Sequence, residues 1–144
     1  MISTKWVQGK ENLSVVIGIR EEVFSKENME KEITDFYDEF AFNAVLYDND
    51  EPAGTGRLLF KEGKYFIDML CVKEKFRGQN YGDLLIRMLV RKAVTIGATE
   101  TYAQVGENLI KLFEKSGFKT VSSNNTVLMV KEGDVGGSCC GGCS

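Results

Sequence analysis

Histidine is absent from the 144-residue sequence, which excludes every mechanism that needs an imidazole base or an imidazole metal ligand. A basic surplus is absent too. The formal net charge is −3, so nothing points to a nucleic-acid partner. No stretch approaches the roughly 20 apolar residues of a membrane span. The start, MISTKWVQGKENL, lacks the basic segment and apolar run of a secretory leader, so the expected location is cytoplasmic, without a membrane partner. Cysteine is nearly missing from the body of the chain: Cys71 sits in an apolar strand and Cys139, Cys140 and Cys143 cluster at the end. The fold is therefore not expected to depend on disulfides.

What is present suffices for one good core, with 43% hydrophobic and 27% charged residues. A helical pattern begins near Leu13 and places Val16, Ile19, Val23 and Phe24 on one stripe. Asn28–Ala41 is acidic and reads as a second helix or a turn-rich segment. The period then changes. NAVLYD, AGTGRLLFK and KYFIDMLCVK read as strands joined by the short turns NDEP and EG, an antiparallel meander. In the last of these only Asp68 is charged between Tyr65 and Val72, which implies a strand covered on both faces. DLLIRMLVRKAVTIG aligns Leu84, Leu85, Met88, Leu89 and Ile96 on one helical face and stops at Gly97. TYAQV is a strand, ENLIKLFEKSGF a short helix, and KTVSSNNTVLMVK a hairpin through Asn124 and Asn125. The order is β-α-α-β-β-β-α-β-α-β-β, an α/β (α+β) domain over residues 1–131. Residues 132–144, EGDVGGSCCGGCS, read as a flexible tail.

The joint FRGQNYG, Phe76–Gly82, leads from a strand into a helix. Such a joint aims several backbone N–H groups at one point, and the helix dipole adds positive potential there. Gly78 and Gly82 let a bulky anion approach without a Cβ in the way, and Arg77 adds a fork that fits phosphate. A P-loop is excluded because Asp83 and Leu84 stand where Lys-Ser/Thr is required. A dinucleotide fingerprint is excluded because G-x-G-x-x-G is missing.

The stretch VKEKFRGQNYGDLLIRMLVRKAVTIGA resembles the cofactor-binding segment of the GNAT superfamily of acetyl-CoA-dependent N-acetyltransferases. Its pattern Gln/Arg-x-x-Gly-x-Gly/Ala maps onto Arg77, Asn80 and Gly82. ENLIKLFEKSGF resembles the segment after that family's fifth strand. IREEVF, DFYDEFAFNAVLY and EPAGTGRLL resemble a branch of small bacterial members, the ElaA/YjcF-like group. The resemblance implies a mostly antiparallel mixed sheet splayed between strands 4 and 5, with helices on both faces. It implies acetyl-CoA as co-substrate, its arm along Leu70, Cys71 and Val72. The pyrophosphate would lie on Arg77, Gly78, Gln79, Asn80, Tyr81, Gly82 and Asp83. Asn108 would face the arm and Phe113 the sulfur end. The implied reaction moves an acetyl or short acyl group to a primary amine of a small molecule or peptide. Many small relatives are homodimers.

The chain departs from that pattern in places that bear on chemistry. Asn80 replaces the middle glycine and suits positive φ. Phe113 stands where many relatives have a tyrosine that protonates the departing thiolate, which leaves Tyr81, Tyr102 or water for that task. Phe66 replaces a frequent glutamate, and Asp68, on the same strand face, becomes the candidate base or else a structural aspartate. Relatives also often show Arg at Met69 and His at Asn43. Asp35, Asp38 and Glu39 read as a solvated acidic face, or as a surface that greets a cationic amine. Cys139, Cys140 and Cys143 could hold a soft ion; Cys140 and Cys143 could instead act as a redox pair, or a tail thiol form a mixed disulfide with coenzyme A. The alternative function is a non-catalytic acyl-CoA or soft-ion sensor.

Overall fold

A computed structural model describes residues 1–26 and 33–134. Its strands are β1 (Ile2–Gln8), β2 (Phe42–Asp48), β3 (Glu51–Lys61), β4 (Lys64–Val72), β5 (Glu100–Val105), β6 (Lys119–Ser123) and β7 (Val127–Glu132). Its helices are α1 (Leu13–Lys26), α2 (Tyr81–Thr95) and α3 (Ile110–Lys115). The strands form one seven-stranded sheet in the order β1-β2-β3-β4-β5-β7-β6. Every neighbouring pair is antiparallel except β4 with β5. The mixed, mostly antiparallel sheet expected from the sequence is observed.

Two-residue turns set the meander's register. Asn49 and Asp50 lie at φ of 49° and 66°, Glu62 and Gly63 at 52° and 77°. Two left-handed residues in succession match the twist of the strands they join. Each helix stripe then selects a face. On one side α1 buries Leu13, Val16, Ile19, Val23 and Phe24 against Val45, Met69 and Cys71. On the other, α2 buries Tyr81, Leu85, Ile86, Leu89, Val90 and Ala93. Burying a side chain of this size contributes about 1.5–3 kcal/mol. The α2 stripe is rotated from the expected one: Ile86 and Val90 are fully covered, while Ile96 is 38% exposed beyond the helix end. Gly56 sets the closeness of this packing, since a Cβ there would stand 2.7 Å from Leu89 Cδ1.

The expected stop at Gly97 is observed at φ +114°. Ala98 N–H donates to Ala93 O and Gly97 N–H to Val94 O, which closes the helix end. The same bond pair ends α3 at Gly117, and there Phe118 packs edge-on against Phe113 at 5.1 Å. Of the expected second helix, residues 28–32 lie outside the described residues, and Phe36–Glu39 is a single 3-10 turn. Cys139, Cys140 and Cys143 also lie outside them. Among the described residues no helix is long and apolar enough to cross a membrane.

Candidate active site

The site begins as a fault in the sheet. Met69, in the middle of β4, sits at φ +52°. Opposite it the β3–β4 register jumps: Arg57 pairs with Asp68 and Thr55 with Cys71. The extra residue reverses the alternation, so Asp68 and Cys71 both face α1 and Leu70 turns toward Leu89 across Gly56. β4 pairs with β5 only at Tyr65↔Thr101, Phe66↔Tyr102 and Ile67↔Ala103. Beyond Ile67 the two parallel strands part, although β4 continues to Val72 and β5 to Val105.

A cavity of about 490 Å³ fills the gap. Asp68, Leu70, Cys71 and Val72 form one wall, with Gln104, Val105 and Asn108 opposite. The far end is closed by Gly78, Asn80, Tyr81 and Gly82. There α2 starts after Asn80, at φ 63°, with no side-chain cap on its first amides. Gly78 is at φ +85° with nothing within 4 Å of the place a Cβ would occupy. Donors without an internal acceptor, a helix N-terminus and open space together define a place for an anion. Lys115 Nζ adds positive charge, donating to Asn80 Oδ1 at 3.2 Å. Asp83, in the first turn, is drawn aside: Ser116 Oγ donates to Oδ1 at 2.9 Å and Arg87 Nε to Oδ2 at 3.2 Å. Tyr81 ties this corner to the β2–β3 turn, its hydroxyl donating to Asp48 Oδ2 at 2.6 Å. That bond raises the phenol's pKa.

Asp68 is held by a buried charge network. Arg57, 2% exposed, donates from Nε to Asp68 Oδ1 and from Nη2 to Asp68 Oδ2, both at 2.7 Å. Its Nη1 reaches Asp35 Oδ1 at 2.6 Å and Asp38 Oδ1 at 3.2 Å. Arg20, fully buried, donates to Asp38, to Asn43 Oδ1 at 2.9 Å and to Ile33 O at 2.8 Å. Asp35 caps the 3-10 turn by accepting from Tyr37 N–H, while Asp38 accepts from Asp35 N–H. Burial acts to raise the carboxyl pKa values of Asp35 and Asp38. Hydrogen bonds outweigh it, chiefly from Arg57 to Asp35 and from Arg20 to Asp38, and both lie below the usual carboxylate value. For Arg57 burial works the other way and is outweighed by Asp68 and Asp35, so it holds its proton more firmly than usual.

Several expected residues therefore need correction. Asp38 is 1% exposed and belongs to the core, not to a solvated acidic face; Glu39 is exposed. Phe113 lines the cavity but is 1% exposed, its ring engaged by Phe118. Gly82 makes room for a neighbour as well as an anion, since a Cβ there would meet Leu112 Cδ2 at 3.0 Å. Gln79 is exposed and does not line the cavity. Tyr102 lies outside it, beside Lys64 and Tyr65, and its hydroxyl donates to Glu100 Oε1 at 3.1 Å. That bond raises the pKa of Tyr102 and makes it a poorer acid. Arg57, Arg20 and Gln104 were not anticipated. The signal for the arginines was a lone charge inside an apolar stripe, which must find partners when buried.

A sheet split by a bulge thus opens a cleft along the edge of β4 that runs to a helix N-terminus without a side-chain cap. Residues 13–118 match the acetyltransferase (GNAT) family, and the chain belongs to that family, as an acyl-CoA-dependent N-acyltransferase. It is similar to the uncharacterized N-acetyltransferase YjcF of Bacillus subtilis (strain 168), 28% identical over 118 residues, covering 80% of this chain and 84% of YjcF. Among solved structures, Escherichia coli ElaA superposes with a TM-score of 0.79 at 19% identity, covering 92% of this chain and 100% of ElaA. The PaiA N-acetyltransferase of Thermoplasma acidophilum, solved in complex with coenzyme A, superposes with a TM-score of 0.67 at 14% identity, covering 90% and 99%.

Proposed function

We propose that this protein transfers an acetyl or short acyl group from its coenzyme A thioester to a primary amine. The observation that carries this reading is the gap beyond Ile67↔Ala103, continuous with the uncapped start of α2. The residues fit the group. Amides from Gly78 to Gly82 would hold the diphosphate, and the β4 edge past the bulge would offer backbone N–H and C=O groups to the amide-bearing arm. The bound thioester supplies an activated acyl carbon. The amine nitrogen bonds to that carbon, the carbon–sulfur bond breaks, and sulfur leaves with the electron pair. Starting from the bound ammonium, two protons leave nitrogen: one passes to solvent before the attack, and the second passes to solvent or to the departing sulfur.

The chain's own contribution is position and field. Asp68, beside the point where the strands part, draws in the ammonium form and orients it. Both its oxygens accept from Arg57, which fixes the carboxylate's orientation. The arm's seat excludes water through Leu70, Val72, Val105 and Leu112. Holding two reactants in register is worth up to about 7–11 kcal/mol of barrier. The test is thiol release from acetyl-CoA with a panel of primary amines across pH 6–9. With proton loss to solvent, kcat/KM climbs about tenfold per pH unit toward the amine's own pKa of about 10. A plateau near neutrality would reinstate an internal base, and no thiol release with any amine would overturn the transferase reading.

A further inference from the structure

The two halves of the sheet are covered unequally on the α1 side. α1 packs chiefly on β3 and β4. On the same face of β5 and β7, Tyr102, Leu128 and Val130 are half-buried and Gln104 is exposed. Phe66 of β4 joins this surface, its ring 5.7 Å from that of Tyr102 and tilted by 38°. The floor so formed runs directly into the mouth of the cavity, because Asp68 follows Phe66 on the same face and Asp68 and Gln104 both line the cavity.

Charge accumulates at one edge of this floor. The network holds two guanidiniums, Arg20 and Arg57, and three carboxylates, Asp35, Asp38 and Asp68, so one negative charge is left over. Asp38 is sealed at 2% side-chain exposure, whereas Asp35 and Asp68 reach solvent at 28% and 32%. Arg57 Nη2 binds both, at 3.1 and 2.7 Å, which keeps them side by side. The surplus is thus presented at the mouth. The rings beside it already accept a cation: Lys61 Nζ stands 5.0 Å from the Phe66 ring centre and 5.7 Å from that of Tyr37. An alkylammonium that displaces Lys61, a flexible side chain, from these faces is attracted by the ring quadrupoles as well as by the carboxylates.

We infer that the acceptor is a cationic primary amine with an aromatic or apolar body and no carboxylate beside the amine. The ammonium faces Asp68 and Asp35, and the body lies on Phe66 and its neighbours. A carboxylate next to the amine would be set against Asp35 and Asp68, and like charges there oppose binding. This deepens the acyl-transfer reading and rests on it.

The experiment compares kcat/KM for 2-phenylethylamine, phenylalanine and ethylamine with acetyl-CoA, alongside calorimetric titration of coenzyme A. The expected order is 2-phenylethylamine above phenylalanine by about a hundredfold, for one unfavourable charge contact, and above ethylamine by about tenfold, for lost ring burial. Asp35→Asn narrows the first ratio to about tenfold by raising KM for the amine. Phe66→Ala narrows the second, and Phe66→Leu, which keeps an apolar side chain, restores part of it. If coenzyme A binds and other amines release thiol, but phenylalanine is used as well as 2-phenylethylamine, the acceptor inference fails and the transferase reading stands. Ratios unmoved by Asp35→Asn and Phe66→Ala overturn it equally. If coenzyme A does not bind, both fail together.

Discussion

Replacing Arg57 by methionine tests the charge network directly. Arg57 makes five hydrogen bonds to three aspartates from a position 2% exposed. Methionine keeps the apolar stem and removes the charge, which leaves three carboxylates facing Arg20 alone. Breaking a buried pair on one side costs about 3–5 kcal/mol, a large share of the roughly 5–15 kcal/mol that holds a domain together. The pH dependence supplies a second signature. Asp35 and Asp38 have depressed carboxyl pKa values in the folded protein. In the parent protein their contribution is therefore fully present above the unfolded carboxylate value, near 4, and is lost as pH falls toward the lower folded values. In the variant, burial is no longer opposed by Arg57, so the same groups take up protons more readily and acid relieves the repulsion. Urea denaturation followed by far-UV circular dichroism at pH 7 and pH 4.5 should show a large deficit at pH 7 that shrinks by at least about 1 kcal/mol at pH 4.5. A deficit below about 1 kcal/mol at pH 7, or one equal at both pH values, would refute the network as an organising element.

Other consequences follow from single contacts. Phe113→Ala removes the ring that closes the end of α3 against Phe118 and should cost about 3–5 kcal/mol in chemical denaturation; a loss under 1 kcal/mol would show that the ring is not a packing element. Gly56→Val drives side-chain carbon into Leu89 and Leu70 and should lower stability by about 1–3 kcal/mol, read as a fall in the thermal midpoint; an unchanged midpoint would contradict the close approach of α2 to β3. Gly78→Ala meets no atom but must hold φ near +85°, so it should cost about 1–2 kcal/mol and weaken coenzyme A measurably by calorimetry, whereas Gly78→Asn should lose less on both counts.

Much of the fold was legible because it is set by local chemistry. The α1 stripe from Leu13 to Phe24, the left-handed turns at Asn49-Asp50 and Glu62-Gly63, and the stop at Gly97 each follow from residues close in sequence. The corner at Gly78–Gly82 was legible for the same reason. The split was expected through the family resemblance alone and not from local pattern, since it depends on Met69 taking a left-handed conformation that its side chain does not favour, imposed by pairing with β3. Arg57 escaped notice because its partners lie far along the chain: Asp35 is 22 residues before it and Asp68 11 after. The acidic run around Asp38 looked like surface because two arginines from distant elements, invisible to local pattern, draw it inward. Phe113 was legible as a cavity residue by its place in the resembled motif and does line the cavity; its packing against Phe118, five positions on, was not.

The most direct measurement is a crystal structure of the full chain grown with coenzyme A. The account predicts density for the diphosphate on the amides between Gly78 and Gly82, with the arm running along β4 from Val72 toward Asp68. Coenzyme A bound away from the gap beyond Ile67, or absent at saturating concentration, would contradict it.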